Sequence, residues 1–375
     1  MYQFAVVLDD LLRKDSIPAR RFIYSVVSVP LSLLTVEAEY SCALTKLEDY
    51  TYGEFSVSRF QELCGGDWSS NYWEISEAAD KYLLSFLSRG VFYIGYEMPP
   101  WLVNILEREG LSWVDIRLSP LRFARDMYIV LRGSNVNRLN IRKNWLVKQG
   151  EVTLEAGLVK AAVSHNMPKI NALECDKKTA VFFGQTPGDA SLLSSNGKLL
   201  KVADYEAEIC ESAKDSKLVY KRHPYAGSHG DREVKELQRI VGYRPLEIRH
   251  DVYTCLASHY DHSVLSIASG VCLEAPYFGK NATCLYQPIC DPFAEASVHV
   301  RFIDFYCPSM WGVMFGMNVD EALALPSLPI GPDSLMRRFH NAWWGYSDFI
   351  IENDSFWYRA VAKSVYRATK RIFSF

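Results

Sequence analysis

The segment FFGQTPGDASLL, residues 182–193, places a carboxylate at a position typical of chemistry in α/β proteins. An apolar run ends at Phe183, a Gly/Pro turn follows, and Asp189 stands just before the next apolar stretch. In an open α/β sheet, ligands collect at the carboxyl ends of the strands, where a turn leads into a helix. The pattern therefore predicts a functional role for Asp189. The alternative is that Asp189 or Ser191 only caps the next helix, since both residue types are favoured there.

A cationic cluster ends a second apolar run, LVYKRHP, residues 218–224. Lys221, Arg222 and His223 stand together at the end of the predicted strand, and such a cluster is suited to a phosphate group. Pro224 then stops the strand. We expect His223 to have a binding role, while the alternative is an ordinary histidine with an internal hydrogen-bond partner.

A third segment, SVLSIASGVCLEAPYFGK, residues 263–280, begins as a strand and breaks at Ser269 and Gly270. It restarts as a helix whose unpaired N–H groups form an anion site. Glu274 lies one turn into this helix, where it could accept hydrogen bonds from a ribose. Ser and Glu at a helix start also occur simply as capping residues.

Motifs for metals and for the common nucleotide loops are missing from the sequence. GxxxxGK[ST] and GxGxxG do not occur. His259 and His262 have suitable ligand types, but no matching remote cluster accompanies them. Asp9 and Asp10 are adjacent and are better explained as a helix start than as a divalent-ion motif. We expect no metal and no cofactor.

Strands that alternate with helices must bring these segments together. Residues 91–118 predict a strand from Val91 to Gly95, a helix opened by Pro99 and Pro100 and a strand from Trp113 to Leu118, which is a βαβ unit. The second half repeats strand, turn and helix in the same way. RFIYSVVSV, residues 21–29, is also predicted as a strand.

A long helix from Asn144 to about Lys169 is predicted between the halves, although Gly150 and Gly157 weaken it. The 375 residues exceed one ordinary core. The fold class is therefore predicted as α/β, with two Rossmann-like domains that face a central cleft. The predicted ranges are 1–172, 173–350 and a C-terminal amphipathic helix at 351–375.

Composition narrows the classes of function. Hydrophobic residues make up 49% and charged residues 23%, which indicates a folded globular chain, and the net charge of -3 gives no basic field for nucleic acid. The nine cysteines occur singly, as reduced cytosolic thiols do. Signal-peptide and membrane-spanning patterns are missing, so we expect a cytoplasmic location.

The C-terminal segment 351–375 has two interpretations. Its basic and apolar residues could rest on an anionic leaflet, as a peripheral contact at the inner face of the inner membrane. Alternatively, the helix packs back across the two domains.

The motifs GQTPGDAS, YKRHP and SIASGVCLEAPYFGK, in this order, resemble signatures of the retaining β-Kdo transferases of bacterial capsule and O-antigen assembly. Those signatures are Gly-Gln…Asp-x-Ser, Lys-x-His-Pro and Ser-x-x-Ser/Ala-Gly…Glu-Ala…Gly-Lys. Kdo is 3-deoxy-D-manno-oct-2-ulosonic acid. Two positions differ from the pattern: Arg222 stands where the family has Pro, and Asn281 follows Gly-Lys in place of Pro.

The resemblance, which spans about Val91 to Gln287, implies a GT-B architecture. The N-terminal domain would take the acceptor and the C-terminal domain would bind CMP-β-Kdo. His223 would contact the phosphate, and Glu274 would bind the ribose. The helix start would hold the phosphate through Ser266, Ser269 and Gly270. Asp189 would be the nucleophile and form a covalent Kdo adduct.

Other roles stay open at this stage. Gln185, Ser191 and Arg122 are candidates to hold the Kdo carboxylate. The acid/base for the acceptor hydroxyl is Asp115 or Glu97, unless Glu97 is a helix cap and Asp115 an ion-pair partner of Arg117 or Arg122. Three aromatics near the front of the chain could stack on acceptor sugars, or could belong to the core, as aromatics more often do, namely Trp68, Tyr72 and Trp73.

The predicted function is transfer of Kdo from CMP-Kdo to a lipid-linked oligosaccharide, with no nucleic-acid partner. Two alternatives remain. One is an inverting transferase that uses CMP-sialic acid, with Asp189 as the base. The other is a non-catalytic glycan-binding component of a polysaccharide assembly complex.

Overall fold

The computed structural model describes residues 4–8, 10–13, 16–38, 55–141, 143–166, 178–287, 297–325, 336–338 and 340. The strands of this part of the chain are β1 (Phe4–Val7), β2 (Val91–Tyr96), β3 (Ser112–Leu118), β4 (Tyr128–Gly133), β5 (Thr179–Phe183), β6 (Lys217–Lys221), β7 (Leu246–Glu247), β8 (His262–Ser266), β9 (Ala282–Cys284) and β10 (Val298–Arg301). The α-helices are α1 (Ser16–Ala38), α2 (Val57–Cys64), α3 (Glu77–Leu84), α4 (Pro100–Arg108), α5 (Gln149–Asn166), α6 (Glu206–Ala213), α7 (Ser228–Val241), α8 (Val252–Ala257), α9 (Val271–Glu274), α10 (Phe302–Phe305), α11 (Pro308–Met314) and α12 (Val319–Leu323).

The strands form two five-stranded sheets, which confirms the predicted α/β class with two Rossmann-like units. The first sheet has the order β1-β2-β3-β4-β10, and β1, β2 and β3 are parallel. Strands β4 and β10 are antiparallel to their neighbours. We call the unit around this sheet the first lobe.

The second sheet has the order β7-β6-β5-β8-β9 and is parallel throughout. The chain passes from β5 to β6 on one side and later to β8 on the other. The strand order therefore reverses at β5, and ligands bind at such a point in open α/β sheets. We call the unit around this sheet the second lobe.

Buried apolar side chains cover both faces of each sheet. Strands that are covered on both faces consist of near-continuous apolar runs. This property explains why β5, β6 and β8 were recognisable from the sequence.

The βαβ unit at residues 91–118 is confirmed as β2, α4 and β3. The strand predicted at residues 21–29 is wrong, because this segment lies inside α1. Phe22, Ile23, Val26 and Val27 are all buried. Their spacing follows the helical period, and burial of that face outweighs the strand preference of the β-branched residues.

Two smaller predictions also change. The helix expected at 144–169 is α5, which runs through Gly157 without a break. Asp10 does not start a helix but lies in the turn after β1, where its Oδ1 accepts a hydrogen bond from Leu12 N at 3.0 Å. Asp9 and residues 351–375 lie outside the described residues.

After β9 the chain returns to the first lobe. Strand β10 pairs with β4, and α11 packs on α1. Residues 298–314 therefore belong to the first lobe, although the sequence prediction placed them in the second domain. Among the described helices, none is both long and apolar enough to cross a bilayer.

Candidate active site

A cleft of about 600 Å³ lies between the two lobes, where strands from both sheets end. From the first lobe, Arg13 follows β1, Glu97 follows β2 and Trp68 follows α2. From the second lobe, residues 186–190 follow β5. The cleft thus combines strand ends of both sheets with charged groups of both signs.

Asp189 lies on this cleft in the turn after β5. Gly188 supplies a φ of +77° that the turn requires. Asp189 also caps the short 3₁₀ helix Ala190–Leu192, because its Oδ1 accepts a hydrogen bond from Ser191 N at 2.9 Å. Its other oxygen has no hydrogen-bond partner within the described residues. The cap therefore orients the carboxylate and leaves one oxygen for another contact.

Gln185 ties this turn to the end of β8. Its Nε2 donates to Ser191 Oγ at 2.9 Å, and its Oε1 accepts from Ala268 N at 2.8 Å. Ser266 is fully buried and donates to Phe183 O at 2.9 Å. These predicted donor-binding residues form an internal network that holds the two strand ends together.

The predicted cationic cluster separates into two parts. Arg222 donates to Glu247 at 2.6 and 3.0 Å and to Asp231 at 2.7 Å, so its guanidinium joins β6 to β7 and α7. Lys221 Nζ donates to Arg222 O at 3.3 Å. His223 is half-buried, and its Nδ1 accepts from Tyr225 N at 3.2 Å, which leaves Nε2 as a donor.

Burial lowers the pKa of His223, and the charge of Asp189 opposes this shift. The imidazole is therefore neutral at pH 7, with its proton on Nε2. A neutral N–H of this kind can donate to a phosphate oxygen without being titrated in the physiological range.

The helix start at Ser269 and Gly270 lies at the boundary of the lobes. Ser269 Oγ accepts from Val271 N at 3.4 Å, and a Cβ on Gly270 would come within 3.0 Å of Pro120 Cβ. Glu274 is buried and accepts from Arg122 N at 2.6 Å and from the Tyr253 hydroxyl at 3.0 Å. Burial raises the pKa of Glu274 to about 7. In this structure, Glu274 connects the two lobes.

Asp115 is fully buried below the cleft. Its Oδ2 accepts from Arg117 Nε and from Arg132 Nε, each at 2.7 Å, and its Oδ1 accepts from Met98 N at 2.7 Å. The two guanidinium groups also donate to Met98 O, at 3.1 and 3.4 Å. Asp115 and both arginines therefore hold the turn that carries Glu97.

Glu97 has a φ of +54°, which is unusual for a residue other than glycine. Its N–H donates to Ile116 O at 3.1 Å, whereas its carboxylate has no hydrogen-bond partner within the described residues. The side chain is exposed to the cleft yet surrounded by protein walls. This partial desolvation raises the pKa of Glu97, and the charges of Arg117, Arg122 and Arg13 oppose the shift.

Arg13 is a cleft residue that the sequence analysis missed. Its guanidinium lies over the Trp68 ring, 5.0 Å from the centroid, and donates to Gly188 O at 3.5 Å. The available signal was the apolar run at residues 4–8. Reading that run as a strand places the residues after it at the carboxyl edge of the sheet.

Arg122, Tyr72 and Trp73 are not among the described residues that line the cleft. The Arg122 guanidinium contacts Met127 Sδ at 3.9 Å. Trp73 donates from Nε1 to Ser194 O at 2.7 Å and so joins the lobes, while Tyr72 is buried. In the part of the chain that the structure describes, no group of three or more His, Cys, Asp or Glu side chains could hold a metal ion.

The chain matches no family model and no curated protein sequence. It is similar to two solved structures from Thermosulfurimonas dismutans. The first, "KpsC, beta Kdo 2,7 transferase", is 16% identical with a TM-score of 0.39, over 78% of this chain and 80% of that one. The second, "KpsC, beta Kdo 2,4 transferase", is 14% identical with a TM-score of 0.38, over 78% and 82%.

The chain is also similar to UDP-GlcNAc 2-epimerase from Neisseria meningitidis bound to UDP-GlcNAc. That structure is 11% identical with a TM-score of 0.24, over 90% of this chain and 98% of that one. Likeness of this low degree assigns neither a family nor an activity. Any functional conclusion must therefore come from the residues of this chain.

Proposed function

We propose that this protein is a retaining glycosyltransferase that moves Kdo from CMP-Kdo to a sugar hydroxyl of a lipid-linked glycan. The observation that carries this proposal is a pair of carboxylates, Asp189 and Glu97, which line one cleft from opposite lobes. Each has at least one oxygen without a partner within the described residues. The choice of CMP-Kdo as the donor rests on the resemblance of the motifs around Asp189, His223 and Glu274, in this order along the chain, to those of β-Kdo transferases.

In the first step, the unbonded oxygen of Asp189 attacks the anomeric carbon of the donor. The bond from that carbon to the CMP phosphate oxygen breaks, and CMP leaves with the bonding electron pair. The His223 Nε2 proton is available to stabilise the phosphate charge. Phosphate leaves without protonation, so this step needs no general acid.

In the second step, the acceptor hydroxyl attacks the anomeric carbon from the face that CMP has left. Glu97 accepts the hydroxyl proton, and Asp189 is released as a carboxylate. The two inversions together retain the configuration. The raised pKa of Glu97 brings it nearer to the working pH, as suits a general base.

Glu97 is a better candidate for the base than Asp115. Asp115 accepts three hydrogen bonds, two of them from guanidinium groups, and it does not line the cleft. Both of its oxygens already accept hydrogen bonds from the protein, so neither is placed to meet a hydroxyl bound in the cleft. We infer that Asp115 acts as a positioning residue for the turn at Glu97 and Met98.

The test compares the wild type with Asp189→Asn on CMP-Kdo, by intact-protein mass and by release of CMP. We expect a Kdo-sized mass addition in the wild type and none in the variant. Transfer should fall by about three orders of magnitude or more, since loss of a nucleophile removes the two-step route. CMP affinity should change less than about twofold, because the proposed role of Asp189 is at the anomeric carbon of Kdo and not at the cytidylate. Asp215→Asn, an exposed change between α6 and β6, is the matched control.

Three outcomes would contradict the proposal. Wild-type turnover by Asp189→Asn would remove the nucleophile assignment. An inverted product from CMP-sialic acid, with no adduct, would indicate the inverting route with Asp189 as the base. If neither donor releases CMP and CMP gives no thermal shift, a non-catalytic glycan-binding role is supported.

A further inference from the structure

We propose that Arg13 binds the carboxylate that a 2-ulosonic acid carries on its anomeric carbon, and that it thereby selects the class of donor. The inference rests on the proposed function, because it takes Asp189 as the nucleophile. It assigns the carboxylate site to Arg13, whereas the sequence analysis considered Gln185, Ser191 and Arg122.

The first argument is position. Arg13 lines the cleft opposite residues 186–190, and its Nη2 lies 3.5 Å from Gly188 O, one residue before the nucleophile. At the moment of attack, the anomeric carbon lies about 3–3.5 Å from the attacking oxygen. A carboxylate bonded directly to that carbon therefore lies in the same narrow space as the Arg13 guanidinium.

The second argument is charge. The cleft already contains the carboxylates of Asp189 and Glu97, and the charge of Asp189 contributes to the raised pKa of Glu97. A donor carboxylate adds a third negative charge to a partly desolvated space. Such a charge needs a cationic partner, since a buried unpaired carboxylate is costly. Among the described residues that line the cleft, Arg13 is the cationic one.

The other candidates do not line the cleft. Gln185 bonds to Ser191 Oγ and to Ala268 N. Arg117 and Arg132 bond to Asp115, and Arg222 pairs with Glu247 and Asp231. Arg122 is not a lining residue of the cleft.

The third argument is geometry of the side chain. The guanidinium lies over the Trp68 ring, and this cation–π contact restricts its rotamers before a ligand arrives. Arginine presents a planar fork of N–H groups that matches a carboxylate with two parallel hydrogen bonds. Lysine in the same place would keep the charge and lose the fork.

The experiment uses Arg13→Gln, Arg13→Lys and a control, Arg59→Gln, which removes an exposed arginine of α2 that pairs with Glu62. For each protein, the KM for CMP-Kdo is measured from CMP release, and the affinities for CMP and for free Kdo are measured by calorimetry. We expect Arg13→Gln to raise the KM about 10- to 100-fold, as loss of a charged hydrogen bond does. Affinity for CMP should change less than about twofold, and Arg13→Lys should give an intermediate KM.

Equal losses of CMP and CMP-Kdo affinity in Arg13→Gln would overturn the inference, because Arg13 would then contact the cytidylate. An unchanged KM, or an effect no larger than that of Arg59→Gln, would also overturn it. Failure of the proposed function gives a different result: the wild type would release no CMP from CMP-Kdo. In that case, binding of free Kdo that is lost in Arg13→Gln still supports the carboxylate site, and binding that is retained overturns it.

Discussion

Glu97 directly follows β2 and Asp115 lies on the adjacent parallel strand β3, and their surroundings give these two carboxylates different chemistry. Asp115 is neutralised by Arg117 and Arg132 and is closed to solvent. Glu97 faces the cleft, where partial desolvation raises its pKa. The negative charge of Asp115 is balanced by two hydrogen-bonded cations. Glu97 accepts no such hydrogen bond within the described residues, so its partial desolvation favours the protonated form. The pair therefore separates into one positioning residue and one candidate base.

Glu97→Gln should separate the two chemical steps. The first step needs only Asp189 and the donor, so the variant should still form the Kdo adduct and release one equivalent of CMP. Transfer to an acceptor should fall by about 10²- to 10⁴-fold, the usual contribution of a general base. Intact-protein mass and acceptor turnover measure the two steps independently. Glu77→Gln, on the exposed face of α3, is the control. Acceptor turnover at the control rate would exclude Glu97 as the base.

At the scale of elements, the ends of the strands determine which side chains reach the cleft. Strand β4 ends at Gly133, whose φ is +136° and whose hydrogen faces the backbone of β3. A Cβ at this position would come within 2.3 Å of Trp113 O. The close approach supports the neighbouring ladder that contains Asp115 and Arg132.

Gly133→Ala should lower the free energy of unfolding by at least about 1–3 kcal/mol, the typical cost of backbone strain. The contact of the new Cβ with Trp113 O adds to this cost, because that oxygen belongs to the backbone of β3 and has no side-chain freedom to move aside. Urea unfolding monitored by circular dichroism measures the difference. Gly157→Ala in α5 is the matched control, since its Cβ would meet nothing within 4 Å. That change should stabilise the helix by about 0.5–1 kcal/mol. Equal midpoints for the two variants would contradict this account.

At the scale of the whole molecule, the lobes meet through a few polar contacts around the cleft. Glu274 of the second lobe accepts from the Arg122 N–H of the first. Arg337 donates to the carbonyls of Arg122 and Ala124, each at 2.5 Å, and so supports the same loop. These contacts place α9 against the end of β3, and the cleft residues of both lobes depend on that placement.

Two buried histidines should make the stability of the molecule depend on pH. Burial lowers the pKa of His262 to about 4 and that of His299 to about 3. An unfolded histidine titrates near 6.5, so below that pH the unfolded chain binds protons that the folded chain does not. The stability contributed by neutral burial is present above about pH 6.5 and is lost as the pH falls below it. Glu274 has the opposite sign, because its folded pKa is raised.

Comparing the pH dependence of stability in the wild type and in His299→Phe isolates the contribution of His299. Phenylalanine keeps a ring against Tyr128, whose ring centroid lies 5.0 Å from that of His299. The free energy of unfolding of the variant relative to the wild type should rise by up to about 1.4 kcal/mol per pH unit below 6.5. Urea unfolding at pH 7.5, 6.5 and 5.5 measures this difference. A difference that does not change with pH would contradict neutral burial of His299.

The fold was predictable to a large extent because the parallel strands are buried on both faces. Strands β5, β6 and β8 are apolar runs bounded by turns, and Pro100 begins α4 as expected. The error at α1 arose because Val26 and Val27 have a strong strand preference, which packing on a helix face outweighed. Strands β4 and β10 were not predicted. Their pairing is antiparallel, and one partner lies more than a hundred residues away along the chain.

The candidate site was predictable only in part. Asp189 follows β5, and local sequence placed it at a strand end. The sequence analysis offered Arg117 as an ion-pair partner of Asp115, and the structure contains this pair, whereas the second partner, Arg132 of the neighbouring strand, was not predicted. Arg13 was missed since β1 was not recognised as a strand.

The sequence alone determined the local elements of this protein: where the buried strands run, where the turns break them and which carboxylates follow. These properties depend on neighbouring residues and on the period of apolar side chains. Only the tertiary structure decided which charges meet, because ion pairs and clefts form between segments that are distant along the chain. For that reason, only the tertiary structure gave Glu97 and Asp115 different surroundings. It also paired Arg222 with Glu247 and Asp231, and it placed Arg13 beside the turn of Asp189.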